Sequence, residues 1–159
     1  MKRLKGMHDI YFPESYYFEF IEKRAEDLFK NFGFTEIRTP ILEEVSVFSR
    51  SVGEETDIVS KEMYNFKDRD GKHVCLRPEN TASIVRAYLE NNMQENPDLK
   101  KIFYIGPMFR RERPQKGRYR QFNQIGAEIF GKSDPSSDTE LLKYLELFFR
   151  SFGIKDIYT

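Results

Sequence analysis

Two long strand-like segments that lie close together in the sequence constrain the fold of this chain more than any other feature. They run from Lys101 to Arg113 and from Arg120 to Phe130. The loop between them, Pro114 to Tyr119, carries Gly117, a residue type that tight turns favour. Strands joined by so short a loop pair as an antiparallel hairpin. We therefore expect an antiparallel sheet on which the other elements pack.

Apolar spacing and turn residues predict the remaining elements. A first helix is expected after Pro13 with a cap at Gly33, and a short one from Glu44 to Arg50. The segment Arg77 to Thr81 leads into a third, whose apolar face holds Ile84, Val85, Tyr88 and Leu89. A fourth starts at Asp134-Pro135, ends at Gly153 and is expected to bury Leu141, Leu142, Leu145, Phe148, Phe149 and Phe152. Short strands are expected from Phe34 to Thr39 before Pro40, from Met63 to Phe66, from His73 to Leu76 and from Ile154 to Tyr158, with a loop from Gly53 to Ser60. Because hairpins outnumber helical crossovers, we predict an α+β fold with a mainly antiparallel sheet flanked by helices.

Composition narrows the class of protein. A chain of 159 residues is long enough for one domain with a sizeable core, and 15 Phe and 9 Tyr are too many for a disordered chain. The single cysteine, Cys75, excludes a disulfide framework and a Cys-rich zinc site, and it fits the cytoplasm. His8 and His73 lack metal-ligand spacing. No segment resembles a secretory signal or a membrane span, so we expect a soluble cytoplasmic protein without a membrane partner.

Cations are concentrated in the hairpin although the net charge of the chain is zero. Between residues 110 and 120 the only anion is Glu112, and the cations are Arg110, Arg111, Arg113, Lys116, Arg118 and Arg120. Such a loop can simply protect a sheet edge from pairing with another chain. Five of the six cations are arginines, however, and their planar fork suits bidentate phosphate binding. We therefore favour a phosphate site.

Side-chain alternation divides the return strand into two faces. One face carries the aliphatic residues of a core, whereas the other combines Arg120, Phe122, Gln124, Gly126, Glu128 and Phe130. A glycine in the middle of a strand costs about 0.5–1 kcal/mol relative to alanine, and a ligand that approaches the backbone would explain it. A hairpin symmetric about Lys116 would place Arg110 opposite Phe122 and Gly106 opposite Gly126. This floor would suit a nucleotide beside a small cationic or polar ligand.

A second polar cluster, Arg77-Pro78-Glu79-Asn80-Thr81, joins a predicted strand to a predicted helix. Glu79 near the helix N-terminus and Thr81 as a cap would explain the cluster structurally. Ligand binding is the other reading, and spacing alone does not favour it over capping. Neither a glycine-rich phosphate loop nor a catalytic triad spacing occurs in the chain.

Four segments resemble histidyl-tRNA synthetases, a family of class II aminoacyl-tRNA synthetases. The string from Gly106 to Phe122 and its continuation to Glu128 closely resemble motif 2 of that family. Lys5 to Ile10 and the cluster from Arg77 to Thr81 also match, and the first helix with the strand to Pro40 looks like motif 1. The resemblance follows the whole chain in order, and it implies a class II catalytic core and favours the ligand reading of Glu79 and Thr81.

The resemblance also implies a role for each matching residue. Arg110 would hold the α-phosphate of ATP and act in catalysis, Phe122 would stack on adenine, and Glu112 and Arg118 would complete the ATP site. Histidine would be bound by Glu79, Asn80, Thr81, Arg110, Gln124 and Glu128, of which Glu128 would contact the imidazole. Arg113 and Gln115 would lie near the acceptor end of tRNA(His). Mg²⁺ is expected with ATP, without an identified protein ligand.

Further properties of the family qualify these expectations. In this family, motif 1 forms a homodimer interface. The family also has a motif 3, a second catalytic arginine and an anticodon-binding domain, none of which has a counterpart among the 159 residues. We therefore expect residues 1–159 to be the N-terminal part of the catalytic domain and unable to complete aminoacylation alone. Two alternatives stay open, namely a regulatory paralogue like the regulatory subunit of ATP phosphoribosyltransferase and a sensor module of a signalling protein. The complete motif 2 string argues against the first, and the start at Met1 argues against the second.

Overall fold

The computed structural model describes residues 1–53, 56–96, 100–113, 115–132 and 134–157. The chain divides into two compact units. The first unit comprises Met1–Asp9, Arg38–Asn92 and Ile105–Gln124, and the second comprises Ile10–Ile37, Met93–Tyr104 and Ile125–Thr159. Each unit is described by itself below.

Four α-helices, six strands, a π-helical turn and a short 3₁₀ helix (Met93–Glu95) form the regular structure of the described residues. The helices are α1 (Glu14–Asn31), α2 (Val45–Val52), α3 (Thr81–Glu90) and α4 (Pro135–Arg150). The strands are β1 (Thr35–Glu36), β2 (Leu42–Glu44), β3 (Tyr64–Lys67), β4 (His73–Leu76), β5 (Lys101–Phe109) and β6 (Gln121–Ile129). One sheet has the order β1-β5-β6 with β1 parallel to β5, and the other is the antiparallel sheet β2-β4-β3. The α+β prediction is confirmed, with one parallel strand pair.

A small apolar core holds the first unit together. Phe48 of α2 packs with Met63, Cys75 and Ala82, and all four side chains are buried. Burial raises the pKa of the Cys75 thiol to about 12, because a thiolate would lose its hydration there. Cys75 therefore stays a neutral thiol near neutral pH and packs as a small apolar residue, as the sequence indicates.

Stacked aromatic rings organise the core of the second unit. Phe29 of α1 stacks on Phe103 of β5 at 4.8 Å between ring centroids and on Tyr144 of α4 at 3.8 Å. Tyr144 is buried, and its hydroxyl donates to the carbonyl of Ala25 at 3.4 Å. Asp134 caps α4 by accepting a hydrogen bond from the N–H of Ser136 at 3.0 Å. The predicted start of this helix is confirmed.

Several predicted details are wrong, for identifiable reasons. On α3, Ile84 and Tyr88 are buried, whereas Val85 and Leu89 are exposed and line a groove of about 760 Å³ beside α2. On α4, Leu142, Leu145 and Phe149 are more than one-third exposed, because the helix instead buries Tyr144. Apolar periodicity identifies a wide stripe on each helix, and packing covers only part of it.

Three predicted backbone segments also differ from the structure. The strand predicted from Phe34 to Thr39 is shorter, since only Thr35–Glu36 pairs. The loop predicted from Gly53 to Ser60 contains a π-helical turn, Ile58–Glu62, while residues 54 and 55 lie outside the described part. No strand forms over the described residues 154–157, where the Ile154 N–H bonds back to the carbonyl of Phe149. Tyr158 lies outside the described residues.

Gly126 provides a test of packing in the second unit. A Cβ atom at this position would overlap the ring of Tyr104, so Gly126→Ala should lower the free energy of unfolding by about 1–3 kcal/mol. In a Tyr104→Ala background the same substitution should cost much less, because the overlapping ring is gone. Denaturant unfolding of the four proteins measures both costs. Equal costs in the two backgrounds would show that the ring does not explain the glycine.

Candidate active site

The turn between β4 and α3 is held by a buried arginine of the first unit. The Arg77 guanidinium donates to the carbonyls of Thr39 and Pro107, both at 3.0 Å, and also to the Thr39 hydroxyl and the Asn80 amide oxygen. Its side chain fits over Gly106, where a Cβ atom would lie 2.8 Å from a guanidinium nitrogen. The turn from Arg77 to Asn80 is therefore tied to β5 and to the segment before β2.

Glu79 caps helix α3. Its two carboxylate oxygens accept the backbone N–H groups of Thr81 at 2.5 Å and Ala82 at 3.1 Å. The capping reading of this cluster is thus confirmed for Glu79, whereas Thr81 is the first residue of the helix and not its cap. Capping aims the carboxylate in a fixed direction. It does not exclude a ligand role, because each carboxylate oxygen can accept more than one hydrogen bond.

Asn80 lies inside this network. It is only 1% exposed, and its amide oxygen accepts from the Thr39 hydroxyl at 2.7 Å and from Arg77 at 3.2 Å. The structure thus places one predicted histidine-binding residue behind the turn, where it binds other protein groups. Thr81, by contrast, is exposed.

Arg110 lies where β5 ends, between the turn and an aromatic ring. Its Nε donates to the carbonyl of Pro78 at 2.9 Å. Its guanidinium carbon lies 5.2 Å from the centroid of the Phe122 ring, within the range of a cation–π contact. Because both contacts fix the guanidinium, its remaining donors have a defined direction. The predicted floor of an arginine beside an aromatic ring is present in the structure.

The register of the hairpin differs from the symmetric guess by two residues. The Arg110 N–H donates to the carbonyl of Arg120 at 3.0 Å, and in the second unit the Phe130 N–H donates to the carbonyl of Lys100 at 2.7 Å. Both bonds belong to one register, in which Arg110 faces Arg120 and not Phe122. A shift of two residues keeps every side chain on its face, so Arg110 still reaches Phe122 along the diagonal.

The two mid-strand glycines make room for protein side chains. The register places Tyr104 opposite Gly126, and the Tyr104 ring occupies the space above that glycine. Gly106 makes the corresponding room for Arg77. The expectation that a ligand approaches Gly126 is therefore wrong, because a protein side chain occupies that space. A close approach to the backbone is still the reason for the glycine.

Glu112 links two arginines of the hairpin. Arg118 donates to one of its carboxylate oxygens at 3.2 Å, and an Arg110 guanidinium nitrogen lies 4.0 Å from the other. The Arg118 side chain is 63% exposed, which leaves its donors accessible to solvent. The acid therefore lies among the cations and partly neutralises them, as a carboxylate that orients arginines would do.

The tip of the hairpin is exposed. Gln115 and Arg118 exchange backbone hydrogen bonds around Gly117, whose φ of +79° is the left-handed conformation that glycine tolerates. Arg113, Gln115 and Lys116 are all exposed there, while Pro114 lies outside the described residues. The two residues predicted to contact tRNA are thus on an accessible loop.

Gln124 has a buried amide oxygen without a hydrogen-bond partner. Such atoms are rare in folded proteins, because an unpaired buried acceptor costs about 1–3 kcal/mol. Glu128, the predicted imidazole ligand, belongs to the second unit, where it is half-buried and shares a strand face with Gly126. Among the described residues, no group of three or more His, Cys, Asp and Glu side chains could hold a metal ion.

An N-terminal segment also contacts the candidate site, although the sequence analysis gave it no role there. The Arg120 N–H donates to the carbonyl of Gly6 at 2.8 Å, and the Arg120 guanidinium donates to the carbonyls of Lys5 and Glu112. His8 contacts the ring of Tyr119 edge-on at 4.4 Å. Strand periodicity cannot find such contacts, since they link distant parts of the chain through the backbone.

A family model described as histidyl-tRNA synthetase matches residues 6–158 of this chain. The chain belongs to the histidyl-tRNA synthetase family. It is 53% identical over 154 residues to a histidine–tRNA ligase of Thermodesulfovibrio yellowstonii, which covers 97% of this chain and 37% of that protein. A histidine–tRNA ligase of Solibacter usitatus is 51% identical with the same coverage. The chain thus spans little more than one-third of the length of these curated relatives.

Solved structures support the fold of this family member. The apo histidyl-tRNA synthetase of S. aureus aligns with 98% of this chain and 35% of its own, with a TM-score of 0.82 and 39% identity. A Bacillus halodurans protein described as an ATP phosphoribosyltransferase regulatory subunit/histidyl-tRNA synthetase has the same TM-score at 22% identity, which shows a shared fold alone. No helix in the described residues is long and apolar enough to cross a membrane.

A substitution at Gln124 tests whether this residue stabilises the fold or serves a ligand. In Gln124→Met the unpaired acceptor is replaced by a thioether of similar size, so the free energy of unfolding should stay unchanged or rise by up to about 1 kcal/mol. Denaturant unfolding measures it, with Gln121→Met at the exposed start of β6 as the control. A loss of stability above that of the control would show that Gln124 supports the fold.

Proposed function

We propose that the protein containing this chain activates histidine with ATP to form histidyl-adenylate and then transfers the histidyl group to tRNA(His) in the cytoplasm. Residues 1–159 would form the N-terminal part of its class II catalytic domain. Membership of the histidyl-tRNA synthetase family supports the proposal. The observation that carries it is the position of Arg110, which is bound to the Pro78 carbonyl and lies over the Phe122 ring.

Arg110 is the proposed catalytic residue of the activation step. A carboxylate oxygen of histidine would attack the α-phosphorus of ATP, forming the mixed anhydride and releasing pyrophosphate. Negative charge on the α-phosphate oxygens would be stabilised by the guanidinium, whose orientation does not have to be established during the reaction. A fixed cation and well-placed substrates suffice for this chemistry, so no protein nucleophile is required.

The ATP site would combine an aromatic surface with paired charges. Adenine would stack on Phe122, and Arg118 would hold the outer phosphates through its exposed guanidinium. Glu112 would lie close to adenine, and its contacts with both arginines support a part in orienting them. Mg²⁺ would enter with the ATP phosphates, and we assign it no protein ligand.

The histidine site would bind both the backbone groups and the side chain of the amino acid. Glu79 and Thr81 would bind the α-ammonium group, Asn80 would support the turn that carries them from behind, and Arg110 would contact the carboxylate. Gln124 would reach the backbone end, and its unpaired buried oxygen supports this role. Glu128 would accept a hydrogen bond from the imidazole ring. Amino acids without such a donor would not form this hydrogen bond, which is a basis for discrimination.

The tip of the hairpin is the proposed contact for the acceptor end of tRNA(His). Arg113 and Gln115 are exposed there, next to Lys116. The positive charges of Arg113 and Lys116 would attract the phosphate backbone, and arginine and amide groups can also bind base edges.

Histidine-dependent exchange between ATP and pyrophosphate tests the activation step. We expect exchange with the full-length protein and a loss of about 100-fold or more in Arg110→Lys, because lysine lacks the fork that fixes the cation. Arg69→Lys, on the exposed turn between β3 and β4, is the matched control. Residues 1–159 alone should be inactive, since the resemblance assigns further ATP and histidine contacts to later segments. Exchange by this piece alone would contradict that expectation.

Calorimetry separates the enzyme from the regulatory paralogue. Titration of the full-length protein with histidine and with a non-hydrolysable histidyl-adenylate analogue should show binding of both. Binding of histidine without the analogue would favour the regulator. Gln124→Met should weaken histidine binding, whereas the control Gln121→Met should not.

We also propose a homodimer through α1 and the segment up to Pro40. Tyr16, Tyr17, Phe20 and Ile21 are exposed on α1, and a partner that covers them would remove a large apolar area from water. In a two-fold interface each residue occurs twice, so Tyr17→Glu would introduce two charges. Sedimentation velocity should show a dimer that Tyr17→Glu dissociates and Glu19→Gln does not. A monomeric wild-type protein would refute the proposal.

A further inference from the structure

The turn between β4 and α3 depends on one side chain to which the function above gives no role. We infer that Arg77 is a positioning residue for histidine activation, because it fixes the turn that aims both Arg110 and Glu79. This inference rests on the proposed function, since it concerns the same reaction. It adds a residue that would touch neither substrate and would act through its neighbours.

The buried fork of Arg77 joins three parts of the first unit. Its guanidinium binds Thr39 before β2, Asn80 before α3 and the carbonyl of Pro107 in β5, and the residue is only 5% exposed. A planar guanidinium donates in fixed directions, so these acceptors are held at fixed angles as well as distances. Lysine would keep the positive charge but could not hold the three acceptors in one plane.

Backbone hydrogen bonds connect the turn held by Arg77 to the proposed catalytic arginine. The carbonyl of Arg77 accepts the N–H of Phe109 at 3.0 Å, and the next carbonyl, that of Pro78, accepts Arg110 Nε at 2.9 Å. Two successive carbonyls therefore hold two successive residues at the end of β5. A rotation of the turn would move the Arg110 guanidinium away from its place over Phe122.

The same turn orients the proposed ligand of the α-ammonium group. Glu79 lies two residues after Arg77 and caps α3 through the N–H groups of Thr81 and Ala82. Asn80, which follows Glu79, is bound directly to Arg77. Arg77 thus sets the spacing between a carboxylate for the amino acid and a guanidinium for the phosphate. Misplacing catalytic groups by about 1 Å can cost about 100-fold in rate.

The test compares exchange rates of the full-length protein under conditions where circular dichroism shows each variant to be folded. Arg77→Lys should lower kcat for histidine-dependent exchange by about 10- to 100-fold, while Arg69→Lys should not change it. If Arg77 acts through Arg110, the variant Arg77→Lys/Arg110→Lys should lose about tenfold less than the product of the single losses. A role in stability alone predicts that the losses multiply.

A milder pair of variants covers the case in which Arg77→Lys does not fold. Thr39→Val removes the hydroxyl that accepts from Arg77 and keeps the shape of the side chain, whereas Thr39→Ser keeps the hydroxyl. We expect a loss of about 3- to 10-fold in kcat for Thr39→Val, rescued in Thr39→Ser and reduced in an Arg110→Lys background.

The possible failures can be told apart. A wild-type protein without histidine-dependent exchange would refute the proposed function. An active wild-type protein in which the losses at Arg77 and Arg110 multiply would overturn the positioning role alone. Equal effects of Thr39→Val and Thr39→Ser would also overturn it, because the hydroxyl would then not matter.

Discussion

The buried guanidinium of Arg77 is the contact on which the candidate site depends. A cation removed from water is stable only if its donors are satisfied, and the turn between β4 and α3 supplies the Asn80 oxygen while β5 supplies the Pro107 carbonyl. Meeting this requirement fixes the turn, and the fixed turn presents the Pro78 carbonyl to Arg110. Gly106 belongs to the same arrangement, because any larger residue would displace the guanidinium. Stability and positioning are therefore properties of one set of contacts.

Local patterns predicted most elements and the faces of the hairpin. Alternation along the return strand placed Arg120, Phe122 and Gln124 on one face, and a register error of two residues leaves the Arg110–Phe122 contact possible because the side-chain period of a strand is two. The register itself depends on the loop and on contacts such as that between Gly6 and Arg120, which no local pattern contains. The choice of Ile84 over Val85 for burial likewise depends on the neighbouring helix.

The candidate site was predicted less completely than the fold. Arginine content and the glycines pointed to the hairpin, but the glycines accommodate Tyr104 and Arg77, which come from other segments. Asn80 was expected to face a ligand and is enclosed by Thr39 and Arg77. Burial of a polar side chain depends on which distant groups satisfy it, so its sequence neighbours do not reveal it. Glu79 illustrates a different point, because one carboxylate can cap a helix and still present acceptors to a ligand.

The bond between Gly6 and Arg120 has a consequence for the order in which the chain can fold. Translation proceeds from the N-terminus, so the carbonyl of Gly6 leaves the ribosome long before the N–H that it accepts. Until the return strand of the hairpin has emerged, Gly6 lacks this native partner, and closing so long a loop is entropically costly. The residues around Gly6 are therefore synthesised well before they can take their final place.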